Sequence, residues 1–247
     1  MKNLNLLKKE FLLGNNLSVI IWLFCSFIMQ LIPSYPMYVG PYYICLCIML
    51  SFALNQTSHD ILYTVLLPVK KIDTVKARFM YACILECLSL FLSVILGIIK
   101  GLVKFPENNA GIDLNVAFLG LQMFCFSVFN FIYLGGVYKN PIKSGVRFLF
   151  ASLAYFAAYV LCEFPLWKFK SYRASLINAG YQSFDISLAV DNLSWYRIPK
   201  IGYLFLQKDP SSLVKQLPVL VLGLVIFVLV WFISYKRSVK QFERYEI

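Results

Sequence analysis

The stretch Phe79–Ile99 reads FMYACILECLSLFLSVILGII, twenty-one residues with a single charge, Glu86. A helix needs about 20 mostly apolar residues to cross roughly 30 Å of hydrocarbon, so this run alone is long enough to span a bilayer. Its apolar residues are continuous rather than alternating, which disfavours a barrel strand. Five further runs of the same kind lie at about 17–35, 37–55, 114–137, 145–164 and 217–235. Pro33-Ser34-Tyr35-Pro36 joins the first two as a hairpin, and no small-residue cleavage site follows the first, so it does not read as a secretory signal.

The composition agrees. Of 247 residues, 60% are apolar, 17% aromatic and only 14% charged, with a mean hydropathy of +0.71. Soluble domains carry about a quarter charged residues, so there is too little polar material here to clothe a globule. Disorder is excluded by the same high hydrophobicity. The seven cysteines (Cys25, Cys45, Cys47, Cys83, Cys87, Cys125, Cys162) fall inside or at the ends of apolar runs, the placement of reduced, buried thiols rather than of a disulfide framework. The expected fold class is an all-α integral membrane protein of six transmembrane helices in one domain, 1–247.

Lys and Arg in short loops mark the cytoplasmic side. With the amino terminus inside, that side holds Lys2, Lys8, Lys9, Lys70, Lys71, Lys76, Arg78, Lys139, Lys143, Arg147, Lys236, Arg237, Lys240 and Arg244. The short outer loops hold only Lys100 and Lys104. Both termini are therefore expected in the cytoplasm. Most of the formal net charge of +11 records orientation and needs no nucleic-acid partner, because the cations follow one membrane face instead of interleaving with exposed aromatics.

Outside the runs, residues 1–16 place Leu4, Leu7 and Phe11 at helical spacing, with Lys8, Lys9 and Glu10 on other faces. This suits an amphipathic elbow in the inner interface; a simple basic anchor is the plainer alternative. Between spans two and three, 56–78 reads as a short helix capped by Thr57 or Ser58, a break at Pro68, and a basic helix start. Ile61, Leu62, Val65 and Leu66 make this loop too apolar for a tether; it is either a docking surface or an interfacial helix without a partner. Between spans five and six, 165–216 carries apolar patches at Ile186–Val190 and Ile198–Leu206, with Trp167, Tyr172, Trp195, Tyr196 and Tyr203 suited to the outer headgroup level.

The elbow phrase Leu7-Lys8-Lys9-Glu10-Phe11, two spans, then Leu67-Pro68-Val69-Lys70-Lys71-Ile72 and Val75-Lys76-Ala77-Arg78 resemble the permease subunits of ABC-2 type exporters. The small bacterial six-span branch carries a Leu-Pro-Val-Ser-Arg-Lys style phrase at this place. The close match covers about twenty residues. It departs upstream, where the family has acids and this chain has Asn55-Gln56-Thr57-Ser58-His59-Asp60. The resemblance implies an elbow at Leu4, Leu7, Lys8, Lys9, Glu10 and Phe11. It also implies a coupling helix against a peripheral ATPase at His59, Asp60, Leu62, Tyr63, Leu66, Leu67, Pro68, Val69, Lys70 and Lys71, and extracellular gating helices within 165–216. The partners it implies are an ABC ATPase dimer holding ATP and Mg, a second permease copy, and membrane lipids. The cargo it implies is an amphipathic peptide, as for exporters of phenol-soluble modulins and bacteriocin-like peptides, in a bacterial plasma membrane.

No Gly-x-x-x-x-Gly-Lys-Ser/Thr cradle exists in the chain, so nucleotide binding by a P-loop is not expected of it. One histidine, His59, leaves no triad and no His-rich metal site. No cofactor and no metal are expected on this chain, and no enzymatic activity. Cys83 and Cys87 share a helix face, and Gly97-x-x-x-Gly101 is a possible close-packing motif. Glu86, a carboxylate in mid-span, is expected either in the translocation path or dimer interface, or simply held neutral or hydrogen-bonded by a neighbouring helix. The alternative function is a channel or membrane assembly factor with no ATPase partner.

Overall fold

The structure, a computed structural model, describes residues 2–33, 35–57, 70–103, 106, 108, 110–207 and 209–244. The described residues form helices and turns with no strand: α1 (Lys2–Gly14), α2 (Leu17–Leu31), α3 (Val39–Thr57), α4 (Lys71–Val103), α5 (Val116–Ile132), α6 (Ser144–Asn178), α7 (Ser183–Asp191), α8 (Ile198–Leu206) and α9 (Pro210–Glu243). Four stretches are long and apolar enough to cross a membrane: Lys71–Val103, Val116–Lys139, Pro141–Asn178 and Ser211–Glu243. The pair Asn5–Gly14 and Leu17–Leu31, bent by 82°, makes a fifth if counted as one span. The apolar helix α3 is shorter and runs antiparallel to α2: a Cβ at Gly40, in its first turn, would lie 2.7 Å from the Ser26 carbonyl oxygen, and the Cys47 thiol in its middle donates to the Val19 carbonyl at the start of α2 (3.4 Å).

The distribution of side chains identifies the solvent. Phe91, Ile98, Leu149, Phe150, Leu153, Leu161, Leu222 and Phe232 point outward and are exposed, while Ser26, Gln30, Glu86, Ser89, Ser93, Gln122, Asn130 and Gln216 are buried. Water would favour the reverse; hydrocarbon outside and polar groups satisfied within is the arrangement lipid requires. Aromatic packing fills the middle, where Tyr38 stacks obliquely on Phe118 and Tyr159 and the Tyr155 hydroxyl donates to the Tyr38 carbonyl (2.8 Å).

The helices are longer than the hydropathy runs. α4 starts at Lys71, eight residues before the run it contains, and at 1.5 Å per residue its 33 residues reach about 50 Å. Hydropathy marks where the hydrocarbon ends, whereas the backbone ladder continues into the interface. For the same reason α6 passes through Pro165 and ends only at Asn178, inside the 165–216 segment. The two apolar patches of that segment are the short helices α7 and α8. Lys200, buried, donates to the Val190 and Asp191 carbonyls (3.1 and 2.7 Å) and so closes the end of α7 against α8.

α5 and α9 meet most closely. A Cβ at Gly120 would lie 2.5 Å from the Val219 carbonyl oxygen, and one at Gly223 would collide with the Gly120 carbonyl. Near the carboxyl end of α5, the Ser234 and Ser238 hydroxyls and Gln241 Nε2 donate to the carbonyls of Asn130, Leu134 and Gly135 (3.2, 2.5 and 3.2 Å), satisfying acceptors a helix end leaves open. The small-residue seam is thus Gly120–Gly223; a Cβ at Gly97 would instead lie 3.1 Å from the Leu114 carbonyl oxygen, and one at Gly101 would meet open space.

Candidate functional site

Contacts sort the molecule into two ends. At one end Arg78 of α4 reaches Glu10 of α1, lies over the Phe52 ring of α3 (5.8 Å), and Phe52 packs against Tyr138. Tyr138 packs on Phe242 of α9, over which the Lys71 ammonium sits (5.9 Å). All the cations assigned to one side by the topology argument belong to segments gathered here. At the other end Asn108 Nδ2 donates to the Tyr35 carbonyl (3.2 Å), Asn115 Nδ2 to the Phe205 carbonyl (2.6 Å), and the Ile112 amide to Glu163 (3.1 Å). Gln216, fully buried, accepts from the Ala117 amide (3.1 Å) and donates to the carbonyls of Leu204 (2.8 Å) and Gln207 (3.1 Å). This one side chain ties α5, α8 and α9 together.

The elbow is held at the basic end. Asn16 caps α2 by accepting from the Leu17 amide (2.6 Å), and Asn15 accepts from the Tyr81 hydroxyl (2.9 Å). Phe11 meets Tyr81 edge-on with centroids 5.1 Å apart. The amphipathic pattern differs from the sequence reading in one respect. Leu6, Glu10 and Gly14 form the buried face, with Leu7 and Phe11 at its flank. Glu10 is inside because Arg78 is there to meet it: Nε lies 3.4 Å from each carboxylate oxygen, and both side chains are almost fully buried. Lys9 stands 4.0 Å from the same carboxylate, and Lys8 is exposed. The Leu4 side chain lies outside the described residues. So does most of the expected coupling set: His59, Asp60, Leu62, Tyr63, Leu66, Leu67, Pro68 and Val69. Lys70 and Lys71 are described, Lys70 exposed with its carbonyl accepting the Asp73 amide (2.9 Å) at the start of α4.

Along the inward face of α4 runs a polar seam. Glu86, Ser89 and Ser93 recur at three and four residues, the spacing of one helix face. Glu86 is fully buried and its Oε2 accepts from Trp231 Nε1 of α9 (3.1 Å). Asn130 of α5 lies beside the same carboxyl. Gln122 Nε2 donates to Ser89 Oγ (3.0 Å), and the Ser93 hydroxyl donates to Gln30 Oε1 (2.9 Å), whose amide nitrogen donates to the Ser26 carbonyl (3.3 Å). Among the described residues, Glu86 Oε1, Gln122 Oε1 and the Asn130 amide atoms are buried with no hydrogen-bond partner. Such groups at membrane depth are costly, and where they persist they mark function more often than scaffolding.

Each end of the seam borders a groove. Trp231 walls one of ≈ 460 Å³ between α4 and α9, shared with Phe79, Cys83, Phe232 and Tyr235 and with Lys76 toward the basic end. Ser93 walls another of ≈ 310 Å³ between α4 and α5, beside Gly97, Leu114 and Phe118. Sequence reading found Glu86 and missed its neighbours. The signal was present in Gln30, Gln122 and Asn130, uncharged polar residues inside apolar runs, and in the regular recurrence of Ser89 and Ser93 after Glu86. All seven cysteines are free, Cys83 and Cys87 with sulfurs 4.0 Å apart, and no group of three metal-ligating side chains occurs among the described residues.

Long apolar helices, lipid-facing hydrophobic surface and a polar interior define a multi-pass helical membrane protein. No family model, no curated protein and no solved structure matches the chain.

Proposed function

We propose that this chain is the membrane subunit of an ATP-driven exporter of the ABC-2 kind, moving an amphipathic substrate, a peptide by preference, out of a bacterial plasma membrane. In this reading α2, α3, α4, α5, α6 and α9 are six spans with both termini cytoplasmic, and α7 and α8 lie on the outer side. Two copies pair, and a dimer of separate ATPase chains, holding ATP and Mg, docks on the 58–71 loop.

The observation that carries the reading is the clamp of the elbow on α4. Glu10 and Arg78 bind α1 to the second turn of a helix that begins at Lys71, directly after the expected docking loop. A push on that loop acts on a helix braced near its cytoplasmic end. Tilting α4 as a rigid lever displaces Glu86, Ser89 and Ser93 relative to Trp231, Gln122 and Gln30, and so opens or closes the seam between the two grooves. Two arrangements of one packed interface, biased from a remote nucleotide site, are what allosteric coupling needs. The aromatic groove beside Trp231 with a single lysine suits a cargo with an apolar face and an anionic end; ions would want rings of charge or carbonyls. The test is reconstitution with the ATPase chain. Substrate efflux that needs ATP, and that stops when residues 58–71 are deleted while the chain still inserts, supports the coupling assignment; unchanged efflux defeats it.

A further inference from the structure

We infer that the pocket formed by Lys139, Arg237, Lys240 and Arg244 is a binding site for the headgroup of an anionic phospholipid, drawn from the leaflet at the basic end. The pocket measures ≈ 450 Å³, and among the described residues Gln241 is its only other lining residue. Arg237 and Lys240 near the end of α9 and Arg244 at its C-cap follow one another at three and four residues, so they share a face, and Lys139 opposes them from the turn after α5. A fifth cation stands close by. The Arg147 guanidinium rests against Gly136, where a Cβ would lie 3.0 Å from its Nη1, and it feels the positive charge of Arg237. Among the described residues, Arg147 Nη1 and Gln241 Oε1 are buried polar atoms without a hydrogen-bond partner. Among the described residues none of these five cations makes an ion pair, although Glu243 sits on the same helix. Five like charges that meet no anion among the described residues repel one another; a phosphate-bearing group removes that cost.

Position decides what kind of anion. The Arg237 guanidinium lies over the Phe131 ring (5.8 Å), and Phe131 is itself exposed. One and two turns toward the membrane centre on the same face of α9, Ile233 and Leu229 are exposed too. The cations therefore cap an uninterrupted apolar strip. A soluble phosphate uses only the cap and an acidic protein has no use for the strip, whereas a phospholipid uses both. Basic pockets between helices at a cytoplasmic membrane edge take lipids such as cardiolipin in the same way. The inference requires a membrane protein but not an exporter.

The test uses the full chain in detergent, stripped of lipid, with cardiolipin titrated in and bound lipid counted by native mass spectrometry. Each surface cation is worth about fivefold in affinity for an anionic lipid. Arg237→Gln with Lys240→Gln is expected to weaken cardiolipin by about thirtyfold. Lys143→Gln with Lys236→Gln, which removes the same charge from the same end outside the pocket, leaves it within about twofold. Arg244→Gln near the end of α9 loses about fivefold and serves if the first pair does not fold. Equal loss in both double variants, no loss in either, equal binding of phosphatidylcholine, or displacement by millimolar inorganic phosphate overturns the proposal.

Discussion

Replacing Glu10 and Arg78 singly and together measures how firmly the elbow holds α4. The two side chains are 4% and 2% exposed, with Nε 3.4 Å from both carboxylate oxygens. Removing one member of a buried pair strands the other charge and costs about 3–5 kcal/mol. Glu10→Gln should sit at the lower end of that range, since the amide oxygen still accepts. Arg78→Met should sit at the upper end, because the guanidinium also lies over Phe52, a contact worth about 0.5–2 kcal/mol. In the double variant neither member of the buried pair strands the other, so its loss is expected to be smaller than that of Arg78→Met alone and the coupling energy to reach about 2 kcal/mol or more. For a chain of this size 1 kcal/mol corresponds to roughly 2–4 °C. Thermal unfolding in detergent, followed by tryptophan fluorescence, should therefore show single variants about 10 °C below the parent, with the double variant above the Arg78→Met single. Losses that simply add would mean that Glu10 and Arg78 do not interact, and the braced-lever argument would fall with them.

Three other changes probe the packing and the seam. Gly120→Ala drives a Cβ into the Val219 carbonyl and should cost about 1–3 kcal/mol in the same melt, whereas Gly101→Ala, with open space around it, should be neutral or stabilising by up to about 1 kcal/mol. Gln216→Ala abandons the Ala117 amide and the Leu204 and Gln207 carbonyls at once, so about 2–4 kcal/mol of destabilisation is expected; a loss under about 1 kcal/mol would show that these bonds do not join α8 to the bundle. Glu86→Gln keeps the shape and an acceptor for Trp231. Because it also removes the carboxyl's ionisable proton, it should fold normally yet cut substrate efflux at least about tenfold, and unchanged efflux would reduce Glu86 to a structural residue.

The helices were legible because 3.6-residue packing in lipid writes a coarse signal, twenty apolar residues at a time. Even α7 and α8 announced themselves as the patches Ile186–Val190 and Ile198–Leu206. What stayed hidden were the pairings. Glu10 looked like part of a solvated face until Arg78, 68 residues later, was seen against it. Arg78 itself was counted as a marker of orientation. Gln216 closed a long segment on paper; in space it pins three helices. A periodic pattern tells which face a residue occupies, but which distant polar group answers it depends on the tertiary arrangement. The glycine seam illustrates the same limit, since Gly97-x-x-x-Gly101 has the favoured spacing and Gly120 and Gly223, 103 residues apart, make the contact.

The central proposal is that ATP hydrolysis on another chain drives this one through the loop ahead of Lys71. It is tested most directly by purifying the tagged chain from its native membrane in mild detergent and measuring the ATPase activity that accompanies it, with and without residues 58–71. The expected result is a stoichiometric P-loop ATPase whose activity responds to the permease, both lost on deletion while the bundle keeps its melting temperature. An intact, correctly inserted chain that brings down no ATPase, or one whose ATPase is indifferent to the deletion, would contradict it.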